Sequence, residues 1–237
     1  MKNNAVKLAS LLLIGAALLL SGCVQGPSET REEDVSDFNR VSIETFGELL
    51  ISQGSTESLR IDAPRDYLRY LTAEVDDGTL TIKTRRGYIG TPGQSVTYTL
   101  TVKDLNEVSF SGAGSIKIFA LNTDDFTVEL NGAGSVEIDD LQADSLTVEL
   151  NSAGAVVIAG RVGKQDVNLN GLGSYEAGDL QSDETSIRLS GAGSAVVWAE
   201  DKLNVEVSGV GSVSYFGSPV LTQSISGLGS VNSKGDR

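Results

Sequence analysis

Apolar and polar residues alternate along most of this chain, and the alternation returns at a nearly fixed interval. The triplets Val108-Ser109-Phe110, Val128-Glu129-Leu130, Val148-Glu149-Leu150, Val167-Asn168-Leu169, Ile187-Arg188-Leu189 and Val205-Glu206-Val207 share one pattern, and Gln223-Ser224-Ile225 keeps its last apolar residue. Period two marks a strand with one face buried. Behind each triplet stands a glycine-bearing unit, beginning at Ser111, Asn131, Asn151, Asn170, Ser190, Ser208 and Ser226, most often Ser/Asn-Gly-x-Gly-Ser. Successive units start 20, 20, 19, 20, 18 and 18 residues apart. Alternation then resumes with Ile116, Val136, Val156, Tyr175, Ala195, Val213 and Val231. Each repeat therefore reads as a strand, a tight corner and a second strand. Neither strand buries its apolar face alone, so the repeats must stack, like on like, at about 4.8 Å per step.

The pattern predicts an all-β fold: a parallel β-helix, or solenoid, of about seven 18–20-residue coils over residues 105–231, preceded by a β-rich capping segment over 38–104. The second glycine of each unit (Gly114, Gly134, Gly154, Gly173, Gly193, Gly211, Gly229) is expected to take a backbone conformation closed to residues with a Cβ. The Ser/Asn column before it should form a hydrogen-bonded ladder along the stack. In one unit Ser152 replaces the first glycine and Ala155 the last serine, which predicts a looser corner there. In the cap, short β-branched runs predict strands at 40–43, 49–52, 59–61, 80–83 and 96–102, with turns at Gln53-Gly54 and Asp76-Asp77-Gly78 and one helical turn within Tyr67–Val75. This segment would cover the first coil's open edge. Residues 24–37 are polar and acidic and read as a flexible stalk. At the far end Gln223, Ser233 and Lys234 bring polarity into apolar columns and blunt that edge, leaving 232–237 as a tail.

The first 22 residues have a different character. Lys2 and Lys7 precede an apolar run, Leu8 to Leu20, broken only by Ser10 and Gly15. It is short for a membrane span and reads as a signal peptide. Leu20-Ser21-Gly22-Cys23 resembles the lipobox of bacterial lipoproteins, whose cysteine is acylated and becomes the first mature residue. The alternative is an ordinary secretory signal with an incidental cysteine. Cys23 is the chain's one cysteine and so lacks a disulfide partner, which favours a lipid attachment point. Acyl chains there would hold the protein at a membrane without a transmembrane helix. Val24 stands where an aspartate would favour inner-membrane retention, so the resemblance implies the outer membrane in a Gram-negative cell.

Charge narrows the partners. The chain carries 18 basic and 32 acidic residues, a net −14, and the signal segment holds two of the cations and none of the anions. That balance argues against nucleic acid or anionic lipid as a direct partner, because phosphate binding needs Lys and Arg to displace counterions. The absence of histidine excludes His-based acid–base chemistry, Ser-His-Asp triads and nearly all catalytic zinc sites. The glycine units lack the third glycine and following helix of a dinucleotide fingerprint, and no Gly-x-Ser-x-Gly elbow occurs. The adjacent carboxylates Asp76-Asp77, Asp124-Asp125 and Asp139-Asp140 leave two readings open, glycosidase-like pairs about 5 to 10 Å apart and stacked calcium ligands. The simpler reading is solvated turn aspartates. No catalytic, cofactor or metal residue is therefore assigned. The few candidates for a binding patch are Tyr88, Trp198, Tyr215 and Phe216, with Trp198 lying two residues before Glu200-Asp201.

The repeated Gly-Ala-Gly-Ser units, together with Phe38-Asn-Arg-Val-Ser-Ile43, Ile51-Ser-Gln-Gly54 and Val75-Asp-Asp-Gly-Thr-Leu-Thr-Ile82, resemble the head GIN domain family of putative auto-transporter adhesins over roughly Phe38 to Val231. The resemblance implies a parallel β-helix, no established catalytic site, and a role in adhesion or cell-surface interaction. The expectation is a membrane-anchored, exported lipoprotein whose non-catalytic domain binds a glycan or protein at the cell envelope. A carbohydrate-active β-helix enzyme and a structural envelope-assembly protein are the alternatives.

Overall fold

The computed structural model describes residues 28–86, 88 and 95–237, so the signal segment and Cys23 lie outside the described residues. In chain order the strands are β1 (Ser28–Glu33), β2 (Arg40–Glu44), β3 (Phe46–Gln53), β4 (Ser58–Pro64), β5 (Leu71–Asp76), β6 (Thr79–Thr84), β7 (Thr97–Val102), β8 (Glu107–Phe110), β9 (Ala113–Ile118), β10 (Leu121–Asn122), β11 (Asp125–Leu130), β12 (Ala133–Leu150), β13 (Ala155–Leu169), β14 (Ser174–Leu189), β15 (Ala192–Val207), β16 (Val210–Phe216), β17 (Val220–Ile225) and β18 (Leu228–Ser233). A single helical turn, α1 (Arg65–Leu68), joins β4 to β5.

From β8 onwards every coil pairs in parallel with the next, and the columns read from the sequence are the columns of the stack. Val128 lies beside Val148, which lies beside Val167, then Ile187 and Val205; Leu130, Leu150, Leu169, Leu189 and Val207 run parallel to them. All ten are buried, and with Ile116, Val136, Val156, Tyr175 and Val213 from the opposite side they form one continuous core. The polar residue between each apolar pair faces outward. A third, shorter side closes the coil, where Leu121 stacks on Leu141. The sequence reading had two strands per coil; this side is too short to alternate visibly.

The corners need glycine for a reason other than the one expected. Of the second-glycine column only Gly114 (φ 146°) and Gly211 (φ 159°) have positive φ values within the strained range. What excludes a Cβ is the neighbouring coil: one added to Gly134 would sit 2.0 Å from the carbonyl oxygen of Gly114. Stacking therefore sets the requirement more than backbone dihedral does. The polar ladder beside it forms as expected over four coils: Asn151 Nδ2 donates to Asn131 Oδ1 (2.9 Å), Asn170 Nδ2 to Asn151 Oδ1 (2.9 Å) and Ser190 Oγ to Asn170 Oδ1 (2.7 Å). At the departing corner the Ser152 hydroxyl donates to the Leu130 carbonyl at 3.2 Å.

The segment before the repeats does more than cover them. β2 and β3 pair in parallel with β8 and β9, and Gly47 lies beside Gly114 in the glycine column. β6 and β7 stack in parallel outside β2 and β3. Two further rungs thus extend the solenoid with no Gly-x-Gly-Ser to announce them. The covering strands are β4, antiparallel to β7, and β5, antiparallel to β6 through the Asp77-Gly78 turn. Both turn residues have positive φ, 44° and 71°, as a type I′ turn requires. Two expectations are corrected. Residues 28–33, read as part of a flexible stalk, form β1, antiparallel to β4, because Arg31 reaches inward to the Leu68 carbonyl at 2.5 Å. The helical turn lies at 65–68, largely ahead of the expected span, whereas 71–76 is strand because Leu71 and Thr72 are buried in the pairing with β6. At the other end Gln223 emerges exposed in the Val205 column, and β17 and β18 contain no charged residue.

Leu150 is fully buried between Leu130 and Leu169, whereas Glu149 faces outward and accepts a 2.7 Å bond from Asn168. Leu150→Ala should therefore cost about 2 to 5 kcal/mol. Glu149→Ala should change stability by no more than about 0.5 kcal/mol. Denaturant melts of the two variants check the assignment; coincident midpoints would contradict it.

Candidate functional site

Strand parity and coil period together select one surface groove. On β15 and β16 the alternation turns Val197 and Tyr215 toward the core and Trp198 and Phe216 outward, and the register sets Trp198 beside Phe216. Both rings are half-buried. The coil beneath is longer: the pairing jumps from Ala177 beside Val197 to Gln181 beside Trp198, so Gly178 to Leu180 have no counterpart in the next coil. These three residues, offset by one gained where Glu200 and Asp201 stand against Asp183, make the drop from a 20- to an 18-residue period, and their loss leaves a recess at the rings. Gly178 keeps the recess open, since a Cβ there would come within 3.2 Å of both the Phe216 ring and Val196.

The groove encloses about 440 Å³, lined by Glu137, Asp139, Val157, Glu176, Asp179 and Val196 together with Phe216, whose neighbour in the register is Trp198. Two cations from the segment after β18 sit on the rings. Arg237 lies 5.7 Å from the Trp198 ring centre and 5.2 Å from that of Phe216, and Lys234 lies 5.4 Å from Phe216. Arg237 also pairs with the Asp179 carboxylate. On the far wall Lys117 bridges Glu137 (2.7 Å) and Asp139 (2.5 Å), and these bonds, that to Asp139 foremost, hold its ammonium above the ordinary lysine range.

A polar network inside the core fixes the backbone under the indole. Ser182 Oγ donates to the Trp198 carbonyl (2.8 Å) and accepts from Gln165 Nε2 (2.8 Å); with its proton so engaged, it also accepts from the Thr185 hydroxyl (2.7 Å). The Tyr175 hydroxyl donates to Gln165 Oε1 (2.9 Å), and burial pushes that phenol far up, so it stays neutral. Every member thereby finds a partner in a low-dielectric interior. These residues are not among the candidates that the sequence pattern singles out. The signal was present: Gln165 and Thr185 interrupt a column that is otherwise Phe126, Leu146 and Leu203.

Of the four binding candidates the structure unites Trp198 and Phe216 and separates the others. Tyr215 packs on the core, and Tyr88 meets Tyr67 and Tyr70 at the cap in tilted ring contacts (4.7 and 5.1 Å). Glu200 lies off the groove, accepting from Gln181 at 3.0 Å. The carboxylate pairs are dispersed: Asp139 is bound to Lys117, Asp140 accepts from Gln142 (2.8 Å), Asp125 accepts from Ser145, and Asp77 occupies its turn near Arg40 (3.6 Å). No cluster of three or more potential metal ligands occurs among the described residues. A larger cleft of about 640 Å³ lies where the cap meets the repeats, beside the exposed Phe119. Its polar groups are committed within the fold: the Gln53 amide bonds Lys103 and Asn122, and Lys103 binds Glu57 at 2.8 Å.

The model of the family described as putative auto-transporter adhesin, head GIN domain, matches residues 37–219. Among solved structures, a putative adhesin from Bacteroides fragilis NCTC 9343 has a TM-score of 0.83 at 28% identity, covering 87% of this chain and 97% of its own. A putative lipid binding protein from Parabacteroides distasonis ATCC 8503 (TM-score 0.67, 24% identity, 88% of this chain and 97% of its own) shares the fold. So does a putative adhesin from Parabacteroides merdae ATCC 43184 (0.62, 20% identity, 88% and 96%). No curated protein matches by sequence.

Trp198 is the chain's one tryptophan, so its emission reports on the groove alone. Arg237→Ala should uncover the indole, giving a red-shifted spectrum and stronger iodide quenching than the unaltered chain. Identical quenching in the two proteins would mean that the arginine does not cover the ring in solution.

Proposed function

Because the chain belongs to the head GIN domain family of putative auto-transporter adhesins, we propose that it is a lipid-anchored, non-catalytic binding module of the bacterial cell envelope. The anchor is the acylated Cys23 of the Leu20-Ser21-Gly22-Cys23 lipobox. Cys23 lies only a few residues ahead of β1, which borders the antiparallel cap. The capped end then faces the membrane and the glycine-cornered coils project away from it. In a Gram-negative cell Val24 directs the protein to the outer membrane.

The observation that carries the binding role is the pairing of Trp198 with Phe216 in a recess of an otherwise polar, acidic surface. Aromatic rings left half-exposed in a concave site, with carboxylates at the rim, suit reversible capture of a ligand. Catalysis has less support. Asp139 and Asp140 hold separate partners, Lys117 and Gln142, and within the groove the carboxylates of Asp139 and Asp179 are each engaged by a cation, Lys117 and Arg237.

Replacing the anchor is the first test: Cys23→Ser should abolish acylation and move the protein from the membrane fraction to the soluble one. Unchanged membrane association would end the lipoprotein reading. For the binding role, the acyl-free variant should bind members of a glycan and peptide array, with Trp198→Ala losing that signal while keeping the parent's melting transition. The same protein should turn over neither acidic nor neutral polysaccharides, with or without calcium. Turnover that vanished in an Asp139→Asn/Asp140→Asn variant would assign it to the enzymes instead.

A further inference from the structure

We infer that the Trp198–Phe216 groove is a guanidinium site, and that its ligand is an arginine side chain on a basic segment of a partner protein, for which Arg237 is the chain's own stand-in. The inference rests on the groove being the binding site proposed above, and it names the ligand class.

The recess already holds a guanidinium in the manner that such a ligand would adopt. Arg237 lies against both rings, within 6 Å of each centre, and its charge meets the Asp179 carboxylate. A cation over aromatic faces with an anion at its edge is the combination that favours arginine above other side chains, because the flat guanidinium stacks and bonds a carboxylate at once. A second cation, the Lys234 ammonium, also lies over the Phe216 ring. Val157 and Val196 supply apolar wall for an aliphatic stem, and Val157 is 41% exposed.

The occupant is also held by little. Lys234 to Arg237 follow the last strand and are exposed; apart from the contacts of the two cations, they are attached by the Lys234 N–H to the Tyr215 carbonyl (2.8 Å), the Gly217 N–H to the Gly235 carbonyl (3.1 Å), the Gly235 N–H to the Ser233 hydroxyl (3.2 Å) and the Ser218 hydroxyl to Asp236 (2.8 Å). Release of this segment leaves two rings, Gly178 beneath them and the Asp179 carboxylate, with the core network holding the Trp198 backbone in place. Long-range charge acts in the same direction. A chain with a net charge of −14 attracts basic segments and repels acidic ones, which raises encounter rates with an arginine-bearing partner.

The test uses the whole chain in detergent micelles and the emission of Trp198. The probes are N-acetyl-arginine amide, the lysine analogue and the citrulline analogue, which keeps the shape of arginine without its charge. The arginine probe should perturb the emission of the Arg237→Ala variant saturably, at severalfold lower concentration than in the unaltered chain, where the stand-in competes. The lysine probe should bind more weakly and the citrulline probe should have no effect. Arg237→Ala/Asp179→Asn should lose most of the arginine response while melting like Arg237→Ala. Equal responses to arginine and citrulline, or no saturable response in Arg237→Ala, would overturn the inference. A glycan that saturates Trp198 emission in Arg237→Ala, with arginine inert, would overturn it too and leave the binding-module reading standing.

Discussion

Backbone contact between successive corners is the constraint from which the rest of this structure follows. Where coils meet at the glycine column there is no room for even one carbon atom, as the 2.0 Å approach of a Cβ on Gly134 to the Gly114 carbonyl makes plain. With corners in that contact, each strand must start at the same height as the strand below it. Register is thus fixed at one point per coil, and the apolar columns line up as a consequence. A one-residue slip would turn every inward side chain outward, and the corner contact prevents it. The apolar core supplies the driving force, while the glycines decide which of the possible alignments it stabilises.

The repeats were legible because this constraint leaves a mark at every coil. The two rungs formed by β2–β3 and β6–β7 were not, for a physical reason that also explains their position. The unit joining β2 to β3 is Thr45-Phe46-Gly47-Glu48, which keeps only the second glycine. Thr45 sits where the repeats have their first glycine, and it is held by hydrogen bonds to the Tyr67 hydroxyl of α1 (2.5 Å) and to Thr84 at the end of β6 (2.6 Å). A corner facing the cap meets side chains in place of another glycine corner, so the pattern lapses. The order in space also departs from the order in sequence, because β2–β3 lies between β6–β7 and β8–β9. β1 was missed for a simpler reason: Ser28-Glu29-Thr30-Arg31-Glu32-Glu33 has no apolar face, and what holds it is backbone pairing and one inward arginine.

At the candidate site the same logic applies with the signs exchanged. Trp198 and Phe216 are 18 residues apart, one period of the last coils, so their adjacency was implicit in the repeat. The parity that separates Phe216 from Tyr215 was readable from Val213 in the same strand. Arg237 was not readable, because it lies beyond the last strand, where no column fixes its place. The Gln165–Ser182–Thr185 network would have been found by asking which apolar columns contain polar residues, since a buried polar group persists only where it is bonded.

Stacking also dictates how an acidic chain arranges its outer face. Side chains of one column stand about 4.8 Å apart, so identical charges in successive coils repel. Glu129 and Glu149 are such neighbours, and the column flanks them with neutral donors: Ser109 lies on one side and Asn168, bonded to Glu149 at 2.7 Å, on the other. Arg188 then separates them from Glu206, while Lys117 joins Glu137 and Asp139 on the next face. Most outward columns are thus satisfied along the solenoid axis, and a satisfied column offers a ligand little. The groove arises where that lengthwise pairing fails, because the coil bearing Trp198 has lost the residues opposite Gly178 to Leu180. Asp179 lies in that unmatched stretch, and together with the two rings it takes a partner from the side, a cation.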